Sequence, residues 1–223
     1  GFKPIADYCH SLGLKFGIHI MRGVPRAAVH SGLPIKGSSY TCRDIAHHFS
    51  VCSWNTDMYG CKNCPGAQDY YDSVFALYAS WGVDFVKCDD ICVTEFRQWD
   101  NPYSAKHEVE MIRKAINSCG REIVLSLSPG PAHIENAVHL HRNADMWRLT
   151  GDFWDEWGKL HDMFDKCALW QNEVRGGSWP DCDMLPLGRL SKNAPCHGKA
   201  NRYTNFTKPE QITLMTLWGI FRS

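Results

Sequence analysis

Apolar residues recur at helical spacing near the start of the chain (Ile5, Tyr8, Cys9, Leu12), stop at Gly13, and then alternate with small or polar ones over LKFGIHI, residues 14–20. The first stretch predicts an amphipathic helix with those four residues inward, and the second predicts a strand. The change of period repeats down the chain. A helix opening at Pro65-Gly66 carries Tyr70, Val74, Leu77, Tyr78 and Trp81 to a stop at Gly82, and WGVDFVKCDDI, residues 81–91, follows as a strand. Residues 104–119 predict a helix with His107, Val109, Ile112 and Ile116 inward, and EIVLSL, residues 122–127, a strand running into Ser128-Pro129-Gly130. Helices over 133–142, 154–170 and 208–221 alternate with strands over 145–149 and 178–184; the last helix has Ile212, Met215, Leu217 and Trp218 on its apolar face behind Pro209. Residues 24–64 show no sustained period and predict a long connection of the kind that walls a binding site.

Strict alternation of helix and strand argues for parallel strands joined by right-handed crossovers. A doubly wound sheet would carry a phosphate-binding glycine fingerprint after an early strand, and this chain has none. Its strands end instead in polar groups: Met21-Arg22, Lys87 with Asp89, Ser128, Arg148 with Asp152, and Asp181 with Asp183. That pattern favours a (β/α)8 TIM barrel, which gathers function from many strand ends. Five strands cannot close an eight-stranded barrel, so the expectation is a partial one spanning residues 1–223, with the early strands and the last strand outside this chain.

Composition narrows the partners. Lysine plus arginine equal aspartate plus glutamate at 24 each, so no net field draws in nucleic acid, and no apolar run is long enough to cross a membrane. Eleven cysteines with an acceptor sequon at Asn205-Phe206-Thr207 point to disulfides and a secreted or lumenal, oxidising compartment. Cys61 and Cys64 form a CxxC, but no second spaced pair completes a zinc site, so no metal is expected. Nine tryptophans and eight tyrosines fit an aromatic-walled sugar site or simply a large core, and composition does not choose between the two.

The strand ends suggest chemistry. Two carboxylates across a cleft, one ionised and one protonated, are the minimum apparatus for cleaving a glycosidic bond. Lys87 lies two residues before Asp89 and so points to the same side, where its cation favours an ionised nucleophile. Asp152 follows Thr150-Gly151, a turn in which the carboxyl could be less solvated and keep a proton as the acid; an N-cap for the following helix is the plain alternative. Arg148, Asp181 and Asp183 are read as hydroxyl or carboxylate partners, or else as a solvated strand end.

WGVDFVKCDDI resembles the nucleophile strand of glycoside hydrolase family 27, the α-galactosidases and α-N-acetylgalactosaminidases. MWRLTGDFWDEW is similar to its acid/base strand, SWPDCDMLPLG to its later strand with paired aspartates, and IADYCHSLGLKFGIHI to the helix and strand before the nucleophile. The resemblance implies Asp89 as nucleophile and Asp152 as acid/base, with Lys87, Arg148, Asp183, Asp181 and Ser128 at the sugar and no cofactor. It also implies a retaining double displacement, with carboxyls roughly 5 to 5.5 Å apart, and a C-terminal β-sandwich beyond residue 223. The family's cysteine two residues after the nucleophile is replaced by Ile91, so a Cys64–Cys92 bond is expected instead. The strand ending Ser126-Leu127-Ser128-Pro129-Gly130 lacks the acidic residue that α-galactosidases often use against the sugar's 2-hydroxyl. The expected activity is removal of terminal α-galactose, with α-N-acetylgalactosaminidase and β-L-arabinopyranosidase as alternatives in class and a silent carbohydrate-binding barrel as the alternative outside it.

Overall fold

The computed structural model describes residues 1–52, 54–91, 105–190 and 202–223. The chain forms two compact units, the first made of Gly1–Pro129 with Val138–Trp147 and the second of Gly130–Ala137 with Arg148–Ser223.

In the first unit the helix α1 (Lys3–Ser11) leads into β1 (Gly17–Met21), α4 (Ala67–Ser80) into β5 (Phe85–Asp89), α5 (Lys106–Ser118) into β6 (Val124–Ser128), and α6 (Ala137–Asn143) into β7 (Met146–Arg148). The strand order is β1, β5, β6, β7, and each of the three pairings is parallel. Strand β5 shows why these residues choose this form: Val86 and Cys88 are buried while Phe85, Lys87 and Asp89 alternate onto the other face. In α5, Val109, Ile112 and Ile116 are buried as the spacing predicts, joined by Met111 and Ala115.

Three expectations change. Residues 24–64 are not a bare loop: β2 (Val24–Pro25), β4 (Met58–Cys61) and β3 (Ala46–His47) pair antiparallel in that order, with α2 (Arg26–Ser31) and α3 (Cys42–Ile45) between them. Elements this short complete no period, so alternation could not reveal them. In α1 the buried residue is Ala6, while Ile5, Tyr8 and Leu12 are exposed; in α4 the buried face is Ala67, Tyr71 and Phe75, one position on from the face that the spacing favoured. Burial follows which side meets the parallel strands, and a helix apolar on more than one side does not declare that.

The small sheet is tied to the strand end at Gly23. Its backbone is left-handed (φ +85), and a Cβ there would lie 2.0 Å from the Tyr59 carbonyl oxygen. Only glycine combines that conformation with that approach.

The second unit contains α7 (Trp157–Trp170), β8 (Trp179–Asp181) and α8 (Lys208–Phe221). The Leu149 N–H donates to the Asp181 carbonyl at 2.9 Å, which sets β8 beside the chain leaving β7. Helix α8 begins in a capping box, Thr207 with Glu210, and buries Leu214, Leu217, Trp218 and Phe221; Ile212 and Met215, expected inward, are exposed.

The disulfides inferred from cysteine content are not formed among the described residues, where nine cysteines are free thiols and six of those are buried. Cysteine here fills core space as a small apolar side chain. Cys92 lies outside the described residues, and with it the Cys64–Cys92 pairing.

Candidate active site

The first unit brings Lys87, Asp89 and Ser128 to one edge of the parallel strands. Asp89 closes β5 and Ser128 closes β6, and the two are register partners. Asp89 also pairs in register with Met21, and Lys87 with His19, so His19, Lys87 and Asp89 share one face. Ser128 is buried and Asp89 half-buried.

The carboxylate of Asp89 is held on both oxygens. His19 Nε2 lies 3.1 Å from Oδ2, and the Asp90 N–H donates to Oδ1 at 2.9 Å. The chain turns directly after this bond, Asp90 being a non-glycine residue in the left-handed region with φ 52. The expected partner, Lys87, makes no ion pair with Asp89 among the described residues. Side chains two apart on a strand share a face but stand about 7 Å apart, whereas a residue on the adjacent strand can reach diagonally.

The second unit gathers Arg148, Asp152, Asp181 and Asp183. Arg148, at the end of β7, places Nη2 3.0 Å from Asp152 Oδ1 and Nε 3.3 Å from Asp183 Oδ1, and both nitrogens also donate to the Thr150 carbonyl. Asp183 is left-handed (φ 76); its Oδ2 accepts the Phe153 N–H at 2.9 Å, and its own N–H reaches Asp181 Oδ1 at 3.0 Å. Burial pushes the Asp183 carboxyl up, with Arg148 pulling against it. Asp181 Oδ1 also accepts the Ser223 hydroxyl at 3.0 Å.

Asp152 differs from expectation in its surroundings. Its side chain is 62% exposed among the described residues; the Thr150-Gly151 turn carries the carboxyl outward. The N-cap alternative also fails, because α7 starts at Trp157 behind Glu156. Beside Asp152 is an open concavity of about 390 Å³ walled by Thr150, Trp154, Lys159 and Lys166.

Two contacts are not legible in the sequence. His19 reads only as the polar position of an alternating strand, and Arg22 only as one of the polar strand ends. Among the described residues no cluster of three or more histidine, cysteine or acidic side chains could hold a metal ion.

A parallel βα framework with acidic and basic groups at the strand ends is the arrangement on which α/β enzymes build their sites, and comparison with known proteins identifies the family. The family model described as Alpha galactosidase A matches residues 49–221, and the chain belongs to that family, glycoside hydrolase family 27. Its run of βα units is accordingly part of the family's (β/α)8 barrel. Over its full length the chain is 57% identical to a crystal structure of a family 27 β-L-arabinopyranosidase from Geobacillus stearothermophilus, with a TM-score of 0.94 and 50% of that chain covered. A putative α-N-acetylgalactosaminidase from Bacillus halodurans is 49% identical over the whole of this chain and 51% of its own, with a TM-score of 0.81. Human α-galactosidase A is 27% identical over 99% of this chain and 41% of its own length. The chain thus spans about half the length of the solved relatives and about two fifths of this curated one.

Proposed function

We propose that the complete protein carrying this chain is a retaining exo-glycosidase that removes a terminal sugar of galactose ring configuration, with β-L-arabinopyranose as the favoured glycon. The observation that carries the reaction type is Asp89: a strand-end carboxylate with each oxygen anchored by one hydrogen bond and its remaining lone pairs available. A nucleophile held this way meets the anomeric carbon without reorganising. Attack forms a covalent glycosyl-enzyme as Asp152 protonates the leaving oxygen, and Asp152 then takes a proton from the water that releases the sugar. Arg148 orients Asp152 and, together with Asp183 and Asp181, offers partners to sugar hydroxyls.

The glycon assignment rests on the 57% identity to the Geobacillus stearothermophilus β-L-arabinopyranosidase, a variant of which has been solved with arabinose. The strand that closes at Ser128 beside Asp89 lacks the acidic residue that α-galactosidases often set against the 2-hydroxyl, which supports a departure from them. A second reading, terminal α-galactose, is favoured by the family description and by relatives called α-galactosidases at 25% to 29% identity. The test is kcat/KM of the complete protein on 4-nitrophenyl β-L-arabinopyranoside and α-D-galactopyranoside, with the product anomer followed by NMR. Higher kcat/KM on the arabinoside with retained configuration is expected. Inversion would sink the mechanism, and a preference for the galactoside would replace the glycon.

A further inference from the structure

The backbone immediately after Asp89 is strained, and one buried guanidinium grips it. Asp90 has φ 52, a left-handed conformation that residues other than glycine rarely adopt. Arg22, one residue past the end of β1, holds the segment by several bonds. Its backbone N–H extends the parallel ladder to the Asp89 carbonyl at 3.1 Å, its Nε donates to the Asp90 carbonyl, and its Nη2 lies 3.2 Å from Asp90 Oδ2. The planar fork therefore fixes both the peptide and the side chain of one residue, which a lysine's point charge would not do.

The guanidinium is itself immobilised. Nη1 lies 3.0 Å from Glu108 Oε1 and Nη2 donates to the Ser50 hydroxyl at 3.0 Å, while Tyr71 donates to the other Glu108 oxygen. The Arg22 and Glu108 side chains are each 1% exposed, so these bonds are made without competing water. The result reaches the site through one bond, Asp90 N–H to Asp89 Oδ1: the Arg22 backbone N–H holds the carbonyl of the Asp89–Asp90 peptide, the guanidinium holds Asp90 beyond it, and that peptide carries the donor. Release of Asp90 from the guanidinium would leave that peptide free to turn and withdraw the donor.

We propose that Arg22 is a positioning residue for Asp89, acting through the Asp89–Asp90 peptide, and that Glu108, Tyr71 and Ser50 are the frame that holds it. The proposal rests on the reading of Asp89 as nucleophile. It gives a task to a buried ion cluster. Charge in the cluster is short by one cation: Arg22 faces Glu108 and Asp90, with Asp89 and the Cys52 thiol also near Asp90. Burial above all raises the Asp90 carboxyl to about 6, against the pull of Arg22.

The test uses steady-state kinetics of the complete protein on an aryl glycoside, with circular dichroism to confirm folding. Arg22→Lys keeps the charge and loses the fork; kcat is expected to fall on the order of 100-fold with KM within about threefold. Folded Arg22→Lys with unchanged kcat overturns the proposal. Should Arg22→Lys not fold, Asp90 decides. Asp90→Ala is expected to lose at least about tenfold in kcat, and Asp90→Asn, which keeps an acceptor for the fork and tolerates the left-handed backbone, to recover most of it. Asp90→Ala with the kcat of the unsubstituted protein, or Asp90→Asn no better than Asp90→Ala, overturns the clamp. Asp89→Asn run alongside separates the two levels. If it stays active, the nucleophile assignment fails; if it is inactive while Arg22→Lys is unimpaired, only the clamp fails.

Discussion

His19 Nε2 lies 3.1 Å from Asp89 Oδ2, although 70 residues separate them in sequence. Parallel register explains the meeting: Met21 is opposite Asp89, and His19, two positions earlier on the same face, reaches along the strand end. The contact joins a ring that can donate one proton to a carboxylate that must keep its other lone pairs open.

His19→Phe removes the donor and keeps the ring volume. A fall in kcat of roughly tenfold is expected, consistent with loss of one hydrogen bond to a charged group at about 1.5 kcal/mol, with Asn or Gln at the same position closer to the parent. Steady-state kinetics on the complete protein would show it, and an unchanged kcat for His19→Phe would remove His19 from the site.

Arg148 is the group that neutralises a buried carboxylate. With the Asp183 side chain 6% exposed, Arg148→Met leaves that charge without its cation, and a loss of about 3 kcal/mol in unfolding free energy is expected. Asp183→Asn should cost less, because Asn retains an acceptor for the Phe153 N–H. Urea denaturation of the two variants measures the difference; equal losses would contradict the unequal roles.

Stability should fall in acid through Asp84. Its side chain is 9% exposed; burial pushes the carboxyl up, but the Phe16 N–H, His10 and Arg121 outweigh that and hold it at about 2. A carboxyl depressed in the folded state contributes stability that is present above its unfolded pKa and is lost as pH falls toward the folded one. The window is therefore about pH 4 down to about pH 2, and the amount is on the order of 2 kcal/mol. Urea midpoints at pH 5 and pH 2.5 should converge between the parent and Asp84→Asn, and parallel pH dependence would count against it.

Cys167 and Cys182 are buried neighbours, with sulfurs 3.5 Å apart and a hydrogen bond between thiols rather than a disulfide. The Cys182 thiol is pushed up by that bond first and by burial second. Neither residue should react with iodoacetamide in the native protein, and both should be alkylated in denaturant without reductant. Mass mapping that finds the pair linked would overturn this.

Much of the architecture is legible in the sequence because it is written in long periods. The helix at 106–118 and the strand alternation of Val86 and Cys88 follow from spacing alone. The antiparallel strands within 24–64 are two to four residues long and have no period to read. The site divides the same way. Asp89 and Arg148 announce themselves as charges at the ends of apolar runs, but the identity of Asp89's partner does not. Local spacing names Lys87, and register, which is set by pairing between distant segments, names His19. The exposure of Asp152 is not legible for a related reason: burial of a turn residue depends on where the turn points, and Thr150-Gly151 carries no mark of that.

Gly23 stands away from the chemistry and yet limits how the site can vary. A side chain there would meet the Tyr59 carbonyl 2.0 Å away, so the small antiparallel sheet is seated against the strand end with less than a methyl group's clearance. Arg22, its neighbour, grips the residue after Asp89. The distance between the small sheet and Asp89 is thus set where the chain has no room for any side chain, and a change of shape at this strand end has to be made elsewhere.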